Sequence, residues 1–167
     1  YSTVSVETSR GLAERAAAKG CAFLDAPVSG GPAGATGATL TIMVGGTKEA
    51  FEQALPVFQD LGKNIHHIGP SGAGTTIKLV NQLLVCINMA GVVEGLMLGT
   101  KAGADPQVIV DVLGSSFGGS FMLNRAIPLV LGRKFEGGTP VNLILKDQGI
   151  IHELAHDLGV RLLMGSQ

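Results

Sequence analysis

The sequence has little that would mark it as a metal, disulfide or nucleic-acid protein. Only two cysteines, Cys21 and Cys86, occur in 167 residues, and they form no Cys-x-x-Cys pair. Both sit among apolar residues and are read as buried free thiols, which excludes a disulfide scaffold and favours a reducing, cytoplasmic compartment. No block of like charge is present: 12 basic and 13 acidic side chains leave a formal net charge of -1. That balance gives no support for a nucleic-acid surface. There is no repeat, no low-complexity tract and no signal-peptide pattern. Four histidines occur; His152 and His156, four apart, could hold a metal from one helix face, and a solvated helix face is the plainer reading. His152-Glu153 and His156 depart from the His-Glu-x-x-His motif, and the adjacent His66 and His67 point to opposite faces of a strand. Tyr1 opens the sequence without an initiator methionine, so a fragment or processed product is expected.

Also missing is a Gly-x-Gly-x-x-Gly loop set between a strand and a helix, the usual dinucleotide fingerprint. Gly72-x-Gly74 precedes a helical region and lacks a third glycine. The run from Gly30 to Gly37 lacks the Lys-Ser/Thr pair of an ATP phosphate loop.

What the sequence does contain is a change of character near residues 69–74. Before it, patterning predicts a helix over 6–19, a short strand over 21–24 and a strand over 39–44. A helix over 48–61 and a strand over 64–68 follow, an α/β order. After it, everything is helical. One pattern runs from Thr75 to Lys101, followed by helices from Asp105-Pro106 to Leu113, from Phe121 to Leu131 and from Asn142 to Leu158. The Thr75–Lys101 stretch is apolar on nearly all sides. Asn81, Gln82, Asn88 and Glu94 within it argue against a membrane span, so it is read as a buried helix at the centre of a helical domain or an interface. Domains are therefore expected over 1–71 and 72–167.

Three places could carry chemistry. In Asp25-Ala26-Pro27-Val28-Ser29-Gly30-Gly31, proline stiffens a loop whose glycines bare backbone amides beside the Ser29 hydroxyl. This is either an anion nest or a plain tight turn. In the helix start at Gly74-Thr75, Lys78 shares a face with Asn81 and Gln82 at spacings of three and four. A buried lysine has a lowered pKa and can protonate an oxygen that gains charge, whereas one that snorkels to water does neither. Lys146-Asp147, amid Leu143, Ile144, Leu145, Ile150 and Ile151, is either a surface ion pair or a pocket lysine.

Taken together these motifs resemble the β-hydroxyacid dehydrogenases, the family of 3-hydroxyisobutyrate dehydrogenase, tartronate semialdehyde reductase and L-threonate dehydrogenase. Phe23-Leu24-Asp25-Ala26-Pro27-Val28-Ser29-Gly30-Gly31 with Thr39 to Gly46 resembles the substrate loop. Gly72-x-Gly74-x-x-x-Lys78-x-x-Asn81-Gln82 resembles the catalytic-lysine motif. Lys146-Asp147-Gln148-Gly149 is similar to a late Lys-Asp-Leu-Gly motif, with Gln148 in place of leucine. Ser2-Thr3 resembles the pair that ends a strand beside the nicotinamide. The similarity spans nearly the whole chain, with the motifs in family order.

The resemblance implies a partial Rossmann-like α/β domain followed by an all-α domain like that of 6-phosphogluconate dehydrogenase. It implies an NAD(P)-dependent oxidoreductase acting on a small 3-hydroxy acid, and a homo-oligomer. Ser29, Gly30 and Gly31 would hold the substrate carboxylate, Lys78 would be the general acid, and Asn81 or Gln82 would orient substrate and lysine. Ser2, Thr3, Lys146 and Asp147 would serve the cofactor. Asn81-Gln82 lean towards the tartronate semialdehyde and threonate branches, since amides suit extra hydroxyls. Because the glycine fingerprint is missing, the chain is expected to lack the cofactor-binding half and to bind NAD or NADP weakly or not at all. The alternative reading is a non-catalytic helical interaction protein or an inactive remnant.

Overall fold

The computed structural model describes residues 2–135 and 140–165, and the chain divides into two compact units. The first comprises residues 1–82 and 141–161. It opens with α1 (Val6–Ala17), capped by the Ser5 hydroxyl, which accepts from Thr8 N at 3.1 Å. Gly20, at φ +70, turns the chain out of that helix. Three strands follow, β1 (Val28–Ser29), β2 (Leu40–Gly45) and β3 (Gly62–Gly69), in the order β1-β2-β3. β1 runs antiparallel to β2, with Ser29 opposite Thr41. β2 and β3 are parallel, joined by α3 (Lys48–Leu61) as a crossover, and α2 (Gly31–Thr36) lies between β1 and β2. The central strand β2 is buried almost throughout, with Ile42 and Val44 at its heart. Its near-continuous apolar run is what a strand covered on both faces requires. Leu24, Val28, Phe51, Phe58 and Ile65 close around it.

Residues 21–24 do not form the expected strand. Cys21 N bonds back to Ala16 O at 3.0 Å, so the segment is still leaving α1. Cys21 is exposed, not buried as its apolar neighbours suggested. Sheet contact begins at Asp25, whose N–H donates to Gly45 O at 3.0 Å and whose carbonyl accepts from Gly45 N at 2.8 Å. The regular strand thus falls inside what was read as a loop, and Ser29 stands at its end.

The second unit comprises residues 83–140 and 162–167. It holds most of α4 (Ala73–Lys101), an uninterrupted helix of 29 residues, with α5 (Pro106–Leu113) and α6 (Phe121–Leu131). The Asp105 carboxylate accepts from Gln107 N at 2.7 Å and Pro106 takes the first position of α5. Ser120 caps α6 through Leu123 N at 3.0 Å. Val92, Ile109, Leu123, Ala126 and Ile127 form this unit's core.

Of the two expectations for α4, burial at the centre of the helical domain is not met within this chain, and the interface alternative stays a proposal. The helix is long and apolar enough to cross a membrane by length and composition, yet most of its apolar stretch is uncovered. Leu84, Val93, Met97 and Leu98 are exposed. A helix apolar on every side needs neighbours on every side, and α5 and α6 supply only one. Gly91 and Gly95 of α4 meet nothing within 4 Å where a Cβ would stand. Alanine at either is expected to stabilise the chain by about 0.5–1 kcal/mol, from helix propensity alone. Urea denaturation checks this, and a loss of stability would mean that something packs against those glycines.

Candidate active site

The described residues that the motifs singled out lie in the first unit, which α7 (Val141–Asp157) completes. The arrangement is built outward from Asp25. This side chain is only 5% exposed, and its carboxylate accepts three hydrogen bonds from the start of α4. Gly72 N donates to Oδ1 at 2.7 Å, Thr75 N to Oδ2 at 2.7 Å and Thr75 Oγ1 to Oδ2 at 3.0 Å. A helix leaves its first N–H groups unpaired, and an acidic side chain is favoured there. Here the cap comes from a residue about fifty positions earlier and not from the helix's own flank. Ser9 Oγ lies 2.8 Å from Thr75 Oγ1. Since a carboxylate can only accept, the Thr75 proton goes to Asp25 and Ser9 donates to Thr75.

One turn further, Lys78 Nζ donates to Gln82 Oε1 at 2.9 Å, and Asn81 Nδ2 donates to the same oxygen at 3.1 Å. Gln82 Nε2 in turn donates to Asp147 Oδ2 at 2.6 Å. The amide has one orientation that satisfies both ends, because the ammonium can only donate and the carboxylate only accept. Asp147 is 5% exposed. Its other oxygen, Oδ1, lies 2.7 Å from Lys146 Nζ but in no hydrogen-bond geometry, so that contact is Coulombic. The hydrogen bond of Lys146 goes instead to the backbone carbonyl of Thr3. Lys78, Asn81, Gln82, Asp147, Lys146 and Thr3 are therefore one connected network of two ammonium groups and one carboxylate.

Burial holds the Lys78 pKa below its ordinary 10.5; the Asp147 carboxylate pulls it back up, and the Lys146 ammonium pushes it down. The attraction of Asp147 does not cancel the desolvation.

Ser29, Gly30 and Gly31 lie outside this network, and Asp25, four residues upstream, is what ties their strand to α4. Gly30, at φ +133, and Gly31, at φ +61, carry the chain from β1 into α2. Both are exposed and Ser29 is half-buried. Ser2 is exposed, and its hydroxyl reaches only the Thr3 carbonyl at 3.5 Å. Among the described residues no group of three or more histidine, cysteine, aspartate or glutamate side chains could hold a metal. Reading the sequence missed the partnership of Asp25, Thr75 and Ser9. All three residues were in plain view, but nothing local joins positions so far apart.

Residues 72–167 match the family profile for the NAD-binding domain of NADP-dependent 3-hydroxyisobutyrate dehydrogenase. Residues 1–69 match that for the NAD binding domain of 6-phosphogluconate dehydrogenase. The chain is 45% identical over 156 residues to a 3-hydroxyisobutyrate dehydrogenase of Pseudomonas aeruginosa, covering 89% of this chain and 52% of that protein. It is 40% identical over 164 residues to 2-(hydroxymethyl)glutarate dehydrogenase of Eubacterium barkeri, covering 98% and 54%. The solved 3-hydroxyisobutyrate dehydrogenase of Mycobacterium tuberculosis, with L-serine, superposes with a TM-score of 0.89 at 30% identity, covering 98% of this chain and 59% of that one. The chain thus spans about half the length of the curated relatives it matches.

The profile match over residues 1–69 overturns one expectation. The missing Gly-x-Gly-x-x-Gly was taken to mean that the cofactor-binding half was absent and that NAD(P) binding would be weak or lost. Residues 1–69 are nonetheless NAD-binding-domain sequence. The glycine loop is one element of such a domain; the strands, crossover helix and Asp25-to-Gly46 segment are others, and they suffice to identify it. With profile matches along nearly its whole length, a 45% identical relative and the same fold, the chain belongs to the 3-hydroxyisobutyrate dehydrogenase family.

Proposed function

We propose that this chain carries the substrate-binding and proton-transfer residues of an NAD(P)-dependent 3-hydroxyacid dehydrogenase. The reaction interconverts a small 3-hydroxy acid and its semialdehyde or keto form. The observation that carries this reading is the half-buried Lys78 ammonium, held by Gln82, which Asp147 holds in turn. Lys78 donates a proton to the carbonyl oxygen that gains charge on reduction, and takes it back on oxidation. Asn81 and Gln82 orient the ammonium and the substrate. Ser29, with the backbone amides of Gly30 and Gly31, binds the substrate carboxylate.

Ser2, Thr3 and Lys146 fit the nicotinamide end of a dinucleotide, since they offer hydroxyls and an ammonium beside the exposed start of the chain, and Asp147 holds Lys146 in place. When bound, NAD or NADP supplies or accepts the hydride, and the protein supplies orientation and charge. We assign 1–71 to the cofactor domain and 72–167 to the helical substrate domain; the profile limits at 69 and 72 support that division, whereas the compact units keep 72–82 and 141–161 with the first part. The paired amides Asn81-Gln82 favour hydroxylated substrates of the tartronate semialdehyde or threonate kind. A cytoplasmic homo-oligomer completes the reading, with the exposed apolar side chains of α4 as support for self-association.

Saturable binding of NADH or NADPH is expected when either is titrated into the purified chain and followed by nucleotide fluorescence. The exposed α4 favours the second reading, a non-catalytic helical interaction protein. Self-association without dinucleotide binding would support that second reading and sink the first.

The lowered pKa of Lys78 sets the expected pH dependence. Reduction needs the charged lysine, so its rate should fall as pH rises through a value below 10.5. Oxidation needs the neutral form and should rise over the same range. Steady-state rates in both directions check the pair of limbs; a reductive rate that stays level to pH 10.5 would remove Lys78 as the acid.

A further inference from the structure

We propose that Asp25 is a positioning residue, whose carboxylate locks the first turn of α4 to the end of β2 and so sets Lys78 against the Ser29 strand. The inference rests on the reading of Lys78 above but concerns a residue to which that reading gives no part. Asp25 faces both ways. Its backbone exchanges two hydrogen bonds with Gly45, at 3.0 and 2.8 Å. Its side chain grips Gly72 N, Thr75 N and Thr75 Oγ1. Four residues on stands Ser29, and three residues beyond Thr75 stands Lys78. The two arms of the proposed site therefore meet at one buried side chain.

The close approach is built in on the other side as well. Gly74 lies so near the strand end that a Cβ there would stand 2.8 Å from Asp25 O and 2.9 Å from Gly45 N. A Cβ on Gly45 would stand 2.9 Å from Asp25 Oδ2. Glycine at both places lets the carboxylate reach the helix. Asp25 touches none of the groups proposed to meet substrate or cofactor, so it acts only through where it holds them.

A merely stabilising carboxylate and a positioning one predict different things for Lys78. The charges that act on Lys78 are those of Asp147 and Lys146, from α7. Asp25 reaches it through geometry alone. Loosening the first turn lets water to the ammonium, which weakens the desolvation that depresses its pKa.

The test follows Lys78 by NMR of the chain labelled at lysine Cε, with the signal assigned from Lys78→Arg. Asp25→Asn keeps one acceptor oxygen and loses the other. Thr75→Val removes only the hydroxyl and changes no charge. Both are expected to move the Lys78 titration upward by about half a pH unit or more, the scale of a partly relieved desolvation. Ser9→Ala is the control, because Ser9 donates to Thr75 and leaves all three bonds to Asp25 in place; no movement is expected.

In the enzyme turning over a semialdehyde with reduced dinucleotide, Asp25→Asn should lower kcat by about tenfold with KM little changed. That is the mark of a group misplaced in the transition state and not of lost binding. A folded Asp25→Asn chain in which Lys78 titrates as before overturns the proposal. If Asp25→Asn fails to fold, an unmoved Lys78 in Thr75→Val overturns it equally. The NMR result stands whether or not Lys78 proves to be the acid, so the two readings fail separately.

Discussion

Replacing Lys78 with alanine is expected to lower turnover by about 10²-fold or more, the usual scale for losing a positioned general acid. The substitution removes a cation that burial has left short of compensation. Its pKa is held down by desolvation even though Asp147 pulls the other way. The fold should survive the change for two reasons. Taking a half-buried charge out of the interior relieves a desolvation cost instead of adding one. Gln82 Oε1, which loses the lysine, still accepts from Asn81 at 3.1 Å, so no buried acceptor is orphaned.

Lys146→Ala is the instructive contrast. It leaves Asp147 Oδ1 facing no cation and holding no hydrogen bond, at a residue only 5% exposed. It also cuts the tie to the Thr3 carbonyl. Its effect should fall on KM and on stability more than on proton transfer. Steady-state kinetics on both variants, with circular dichroism to verify folding, separate the two. A folded Lys78→Ala enzyme with near-normal turnover would remove the lysine from the chemistry and leave the Ser29 strand to carry the case alone.

The parts of this structure that could be read from the sequence are those with local causes. Asp105 announces a helix start because its carboxylate caps the N–H group two residues on, and α3 and α6 begin and end where their patterns do. The bond from Lys78 to Gln82 follows from the four-residue spacing of one helix face. What escaped reading has causes that lie elsewhere in the chain. Nothing between Cys21 and Leu24 says that the sheet will pair with Val28–Ser29 instead; that is decided by β2, whose Met43 N reaches Pro27 O at 3.0 Å. Apolar content suggested that α4 is buried, but burial depends on how many neighbours the rest of the chain can supply. The bond from Gln82 to Asp147 spans 65 positions and the grip of Asp25 on Thr75 spans 50, separations at which no spacing rule applies. The match of residues 1–69 to an NAD-binding domain was obscured for a different reason: one glycine motif was allowed to stand for a whole domain.

Gly74→Ala is expected to destabilise the chain by about 3 kcal/mol, the upper part of the range for forcing atoms into a filled space. The position lies inside α4, where alanine should ordinarily gain about 1 kcal/mol over glycine. Sterics decide against that gain. A Cβ at Gly74 would stand 2.8 Å from Asp25 O, 2.9 Å from Gly45 N and closer still to Met43 O. All three are backbone atoms of the strand end, and two of them, Asp25 O and Gly45 N, are bonded to each other at 2.8 Å. No side chain can swing aside to make room. Either the start of α4 lifts off the sheet or that pair of strands parts. If the helix lifts, Asp25 loses its grip on Gly72 and Thr75 and leaves buried N–H groups unpaired, which adds to the cost. Gly91 and Gly95 make the internal comparison, since they belong to the same helix and have nothing within 4 Å. One substitution type in one helix should thus change sign with position. Urea denaturation of Gly74→Ala, Gly91→Ala and Gly95→Ala, read by helical circular dichroism, tests it. A Gly74→Ala chain as stable as Gly91→Ala would show that α4 does not start against Met43–Gly45, and the placement of Lys78 would lose its foundation.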